Sequence, residues 1–434
     1  MSRLLYQRIL SGTALCAVLA GAVALPFGAW AQQGGERGGM WSQLRLTERF
    51  LSRTTSSPDP TEDGTTLQAV SEVDYSFSTE TRTETFTLDF GAGYRFADGP
   101  NTDGITGDFI APSLQLRYAQ VAASASFQTT FTATQVDLAD VSPLSVSDSS
   151  GAVLPTDVSE LTDGGMRTQL GLTSRLTLRD DAPFGLAFGL RLNDISYSDL
   201  PPGSGLNDSL STRGDVTGRF DITPVLQASL GAHYTLFQTD GEGESSRYGL
   251  TTGARLAQPN GAYALNAGLT NGDGGLISTL SLGRSYELPQ TKTNLALGLA
   301  QATDDSVFVT GSAALEHTFG GDSAFGPLTL SADRDVSLTT SEEEVLTSLA
   351  MGGSYALSPQ AGLRLSAELG QAEEVATGDS VTLSEAVLAL DYTFTRTWRG
   401  TANLKATSRD PSDSAATTST SLGLSITRSF ETRH

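Results

Sequence analysis

The stretch from Phe220 to Gly243, FDITPVLQASLGAHYTLFQTDGEG, constrains this chain more than any other. Leu226, Ala228, Leu230, Ala232, Tyr234 and Leu236 take every second position, and Gln227, Ser229, Gly231, His233 and Thr235 fill the positions between. A period of two places the two sets on opposite faces of an extended strand. Ile222-Thr223-Pro224 breaks the run on one side, and Thr239-Asp240-Gly241-Glu242-Gly243 ends it on the other in acidic residues with no apolar anchor. The unit is a tight turn, a long strand and an acidic loop.

The unit recurs. Phe86, Leu88, Phe90, Ala92, Tyr94 and Phe96 alternate with Asp89, Gly91, Gly93 and Arg95, after the earlier runs Leu44 to Phe50 and Leu67 to Phe77. Leu114 to Tyr118, Ala123 to Phe131, Leu170 to Leu178 and Phe184 to Leu192 follow the same rule. Beyond Gly243 the breaks fall at Ala257 to Asn260, Glu287 to Gln290, Leu357 to Gln360 and Phe394 to Thr397. They oppose acidic connections at Gly272-Asp273, Asp304-Asp305, Glu342 to Glu344, Glu373 to Asp379 and Asp410 to Asp413. Two sets of connections with different chemistry imply two different sides. One strand for each run predicts about 20 antiparallel strands, within a range of about 18 to 22.

Arg3 and Arg8 precede an apolar run to Trp30, and Ala29-Trp30-Ala31 supplies a small-residue cleavage site, so residues 1–31 read as a cleaved signal peptide. Residues 32–40 read as a flexible glycine-rich lead-in, and 41–434 as a single barrel domain. The one cysteine, Cys16, lies in the leader, which leaves no disulfide for the remainder. The net charge of −22 becomes more negative when Arg3 and Arg8 are removed, and such a surface repels nucleic acid. No later apolar run is long enough for a membrane helix, so any membrane crossing has to be made by strands.

A soluble sandwich also alternates, but three features favour lipid. The apolar face is rich in Leu, Ala and Val, with aromatics such as Tyr75, Phe77, Tyr94, Phe96, Tyr392 and Phe394 near strand ends, where interfacial girdles need them. The other face carries Asp333, Asp335, Arg364, Glu368 and Lys405, which a dry core could not hold and a water-filled lumen could. Thirdly, Leu422, Leu424, Ile426 and Phe430 share one face of the last strand, which resembles the C-terminal strand signal of Gram-negative outer-membrane β-barrels. That resemblance implies an all-β, single transmembrane antiparallel up-and-down barrel in the bacterial outer membrane. Short periplasmic turns, longer acidic extracellular loops and contact with lipid, lipopolysaccharide and the barrel-assembly machinery belong to the same expectation. It leaves the oligomeric state open.

Catalysis has little to work with, and no enzyme, cofactor or metal site is expected. His233, His317 and His434 are far apart and lack a ligand pattern. Asn271 to Gly275 is a tight hairpin turn rather than a calcium loop, and strands starting at once leave no room for an N-terminal plug. A passive channel for small polar or ionic solutes is the leading expectation. By strand count the longest connection, 136–165, is the third outer loop, and in general porins, which this arrangement resembles, that loop folds inward and narrows the pore. Its acids are Asp137, Asp140, Asp148, Asp157, Glu160 and Asp163, while Arg45, Arg95, Arg117, Arg175 and Arg191 face inward by parity. Acid facing arginine would set a transverse field and favour cations. The competing expectations are a loop lying outside with arginines paired to Glu72, Asp74 and Asp89, a structural or surface-interaction barrel with a closed lumen, and a hydrolase built on His233.

Overall fold

The computed structural model describes residues 39–57, 63–99, 106–138, 165–200, 206–241, 243–272, 275–301, 306–320, 323–338, 343–374, 378–412 and 415–433. The proposed signal peptide and residues 32–38 of the lead-in lie outside that set. The chain runs through β1 Gly39–Ser56, β2 Gly64–Glu80, β3 Glu84–Asp98, β4 Thr106–Val121, β5 Ala125–Asp137, β6 Met166–Leu178 and β7 Phe184–Ser198. Next come β8 Ser209–Asp221, β9 Leu226–Thr239, β10 Gly243–Gln258, β11 Gly261–Gly272, β12 Gly275–Leu288, β13 Thr291–Gln301 and β14 Val307–His317. β15 Leu328–Leu338, β16 Glu343–Ala356, β17 Ala361–Glu374, β18 Ser380–Thr393, β19 Trp398–Pro411 and β20 Thr417–Arg433 complete the order.

Each strand pairs with its sequence neighbours, and β1 pairs with β20 from Trp41–Arg433 to Ser56–Thr418. The 20-stranded antiparallel sheet is therefore closed into a barrel, every strand having a partner on both sides. The large apolar residues exposed on the surface follow the parity of the sequence runs: Leu230 shares a face with Tyr234 on β9, as do Leu295, Leu297 and Leu299 on β13. Leu297 is 67% exposed, and so many exposed leucines on one face are stable only against hydrocarbon. The opposite face is wet as well. Thr251, Asn266, Thr279, Asn294, Ser312 and Asp333 point inward on β10 to β15 and are all exposed. A sheet accessible on both faces encloses a hollow.

At one end four of the turns share a device. Thr81, Thr223, Ser358 and Thr395 each accept, at the side-chain oxygen, the backbone N–H three residues on: Glu84 at 3.0 Å, Leu226 at 3.0 Å, Ala361 at 3.0 Å and Trp398 at 3.2 Å. A hydroxyl that satisfies a backbone donor in a four-residue reversal explains why these four breaks carry Ser or Thr where alternation stops; the breaks at Ala257 to Asn260 and Glu287 to Gln290 turn without one.

Two irregularities matter. The β3–β4 register slips between Gly91 and Gly93, where Ala111 sits at φ 48° beside Pro112. One extra residue reverses the facing of everything beyond it, so Phe109 turns outward and Asp108 inward. β4 begins at Thr106, eight residues ahead of the alternating run Leu114 to Tyr118. Separately, β14 and β15 pair only between Gly311–Arg334 and His317–Leu328, so their outer ends are not joined to each other.

Leu297→Arg should cost about 2–4 kcal/mol of folding free energy in lipid vesicles, the range for a cation near the mid-bilayer face of a barrel. Asn294→Arg, on the wet face of the same strand, should change stability by less than about 0.5 kcal/mol. Urea titration of both variants in vesicles measures the contrast.

Candidate functional site: the lumen wall

All five arginines expected to face inward, Arg45, Arg95, Arg117, Arg175 and Arg191, lie on the face opposite the lipid-side leucines of their strands. Of the six expected loop acids only Asp137 falls among the described residues; Asp140, Asp148, Asp157, Glu160 and Asp163 lie outside them.

Arg95 is the centre of the tightest cluster. Its guanidinium contacts Asp108 at 2.9 Å and Asp137 at 2.8 Å, and its side chain is only 12% exposed. Asp108 arrives through the bulge, and Asp137 is the last residue of β5, so three strands converge on one cation. Around this level the inward face is covered. Val70, Ile110 and Ile195 are buried there, as are Arg167 and Asn193, and a chain of bonds runs from Arg167 to Gln169 (3.0 Å) and from Gln169 to Asn193 (2.7 Å). The connection after β5 leaves the wall beside this cluster, where the Leu138 N–H donates to the Gly165 carbonyl at 3.0 Å.

Strand register reveals an alignment that no single segment shows. Cross-strand partners link Arg117, Thr130, Thr173, Arg191, Arg213, Thr235 and Arg247 into one row over β4 to β10. Arg175, Arg219 and Arg255 add to the same wall, with Asp215 and Asp221 as its carboxylates on β8. Four and five strands beyond β10, Glu316, Asp333 and Asp335 face inward on β14 and β15, with Lys292 of β13 as the cross-strand partner of Glu316. The inward arginines thus gather on β4 to β10, and β15 carries two inward carboxylates.

Elsewhere the inward charges pair off. Arg49 meets Glu72, Arg364 meets Asp391 at 2.6 Å, and Lys405 meets Glu385 at 3.1 Å. Arg45 lines a recess of about 310 Å³ with Asp74, Asp89, Ser113, Gln115 and Thr132, floored by Gly91. A Cβ at Gly91 would lie 2.7 Å from the Ser113 hydroxyl, so glycine keeps the recess open. His233 stands between Asp215 and Gly249 on neighbouring strands and has no hydrogen-bond partner among the described residues. No group of residues able to hold a metal occurs among the described residues.

No family model and no curated protein matches this sequence. Among solved structures, a mutant of the ferric enterobactin receptor PfeA of Pseudomonas aeruginosa is 8% identical at a TM-score of 0.49, covering 90% of this chain and 80% of its own. Pseudomonas aeruginosa OccK7 (OpdD) is 11% identical at 0.42 over 92% and 100%, and Pseudomonas aeruginosa OpdK with vanillate is 14% identical at 0.38 over 90% and 99%. Likenesses this distant add nothing to what the strand register establishes, and the class of the chain rests on its own closed barrel.

Arg95→Ala should destabilise the barrel by about 3 kcal/mol, since it leaves two carboxylates facing each other. Asp108→Asn should cost less, because the Asp108 side chain is 44% exposed. Chemical unfolding followed by tryptophan fluorescence tests the order.

Proposed function

We propose that the protein is an outer-membrane channel for small polar or ionic solutes. The observation that carries the reading is the sheet exposed on both faces, with leucines such as Leu297 outward and Asn294, Asp333 and Thr279 inward. In this reading the barrel inserts as a passive pore rather than an enzyme. The hydroxyl-capped turns lie at the periplasmic edge, and the longer acidic connections face outward.

Inward arginines and carboxylates act on whatever crosses. A dipolar or charged solute aligns with the field while keeping hydrogen bonds to Thr, Ser and Asn, and apolar solutes of the same size gain nothing for losing their place in lipid. The acidic outer connections raise local cation concentration at the mouth, which supports a preference for cations. The burial of Val70, Ile110 and Ile195 on the inward face, beside Asp137 and Leu138 where connection 139–164 is rooted, supports that connection as the constriction.

In a planar bilayer the purified protein should give discrete conductance steps, and a potassium chloride gradient should set a reversal potential of the cation-selective sign. Deleting residues 140–163 should raise the step size about twofold or more and weaken the selectivity. Absence of any step would refute the channel and leave a closed structural barrel as the better reading.

A further inference from the structure

Three arginines face lipid rather than the lumen: Arg334, in line with Leu328 and Leu330 on β15, donates to Thr347 at 3.1 Å, and the other two sit in one shared constellation. Arg284 shares the parity of the exposed Leu280, Leu282 and Leu288 on β12. Its guanidinium lies over Tyr263, its cross-strand partner, at 4.1 Å, and over Tyr286, two residues on, at 4.4 Å. Eight strands away Arg428 repeats the pattern, over its cross-strand partner Trp398 at 5.2 Å and over Phe430, two residues on, at 4.5 Å. In each case the later aromatic points toward the end that carries the hydroxyl-capped turns.

An unpaired cation on the lipid face costs up to about 2–4 kcal/mol at the midplane and little at the interface, so these positions are tolerable only near the headgroups. Ring stacking returns part of that cost. It does not neutralise the charge. Neither guanidinium has a carboxylate partner among the described residues, and Nε and Nη1 of Arg284 are enclosed without a hydrogen-bond acceptor. The anion available at this depth, outside the barrel, is the phosphodiester of a phospholipid in the adjacent leaflet. Two aromatic rings hold the planar guanidinium at a fixed attitude, which suits charge-assisted bonding to phosphate oxygens.

We propose that Arg284 between Tyr263 and Tyr286, and Arg428 between Trp398 and Phe430, are two binding sites for the phosphodiester headgroups of periplasmic-leaflet phospholipids. The assignment of leaflet rests on the outer-membrane orientation given above; the lipid class rests on the two clamps.

The full barrel in detergent, titrated with phosphatidylglycerol and, separately, with the uncharged diacylglycerol of the same chains, tests this by native mass spectrometry. Arg284→Gln and Arg428→Gln should each weaken phosphatidylglycerol binding about tenfold at one site, the double variant should lose both, and diacylglycerol binding should not change. Arg284→Lys should fall between, since an ammonium keeps the charge and loses the planar stack. Tyr263→Leu, which leaves every charge in place, should also weaken binding and serves if the glutamine variants fold poorly. Equal phosphatidylglycerol binding by wild type and double variant overturns the proposal. Bilayer conductance recorded on the same samples separates the two readings: a barrel that conducts but lacks selective binding loses the clamps alone, and one that binds but never conducts keeps the clamps and loses the channel.

Discussion

A peptide group facing hydrocarbon has no water to bond, and every feature of this fold answers that condition. Strands satisfy half of their backbone groups on each neighbour, so a membrane sheet is stable only when its last strand finds its first. The ladder from Trp41–Arg433 to Ser56–Thr418 does this. Closure then dictates the rest: side chains must alternate between lipid and lumen, turns must be short at one end, and charges must gather inside. The polar interior is a consequence of the backbone before it is a device for transport.

Much of this was legible in the chain because both periods involved are local. Alternation at Phe86 to Phe96 or Leu226 to Leu236 needs no knowledge of neighbours, and the breaks with Thr223 or Ser358 mark turns whose hydroxyls bond three residues on. The strand number and the inward facing of Arg45, Arg95, Arg117, Arg175 and Arg191 followed from the same rule. What escaped was whatever depends on register. The bulge at Ala111 and Pro112 breaks alternation ahead of Leu114, so parity alone does not bring Asp108 to Arg95. The row from Arg117 to Arg247 joins residues spread over seven strands, and only the pairing of those strands brings it into being. Pro112 beside a strand-like run was the one available hint of the bulge.

The two surfaces use arginine for opposite ends. Inside, Arg95 draws three strands together and the β4 to β10 row lines a water-filled wall, where solvation keeps each charge inexpensive. Outside, Arg284 and Arg428 are held by aromatic faces at the margin of the apolar band. The same side chain ties strands together inside and stacks on aromatic rings outside, and the choice is set by which side of the pleat its residue number falls on.

The pairing of the first strand with the last also sets an order of events. Until β20 exists, β1 presents an open row of donors and acceptors, and no intermediate with fewer strands can retire them by the native ladder. Every other ladder joins consecutive strands and can form as a hairpin from its own segment, so closure alone has to wait for the last stretch of chain.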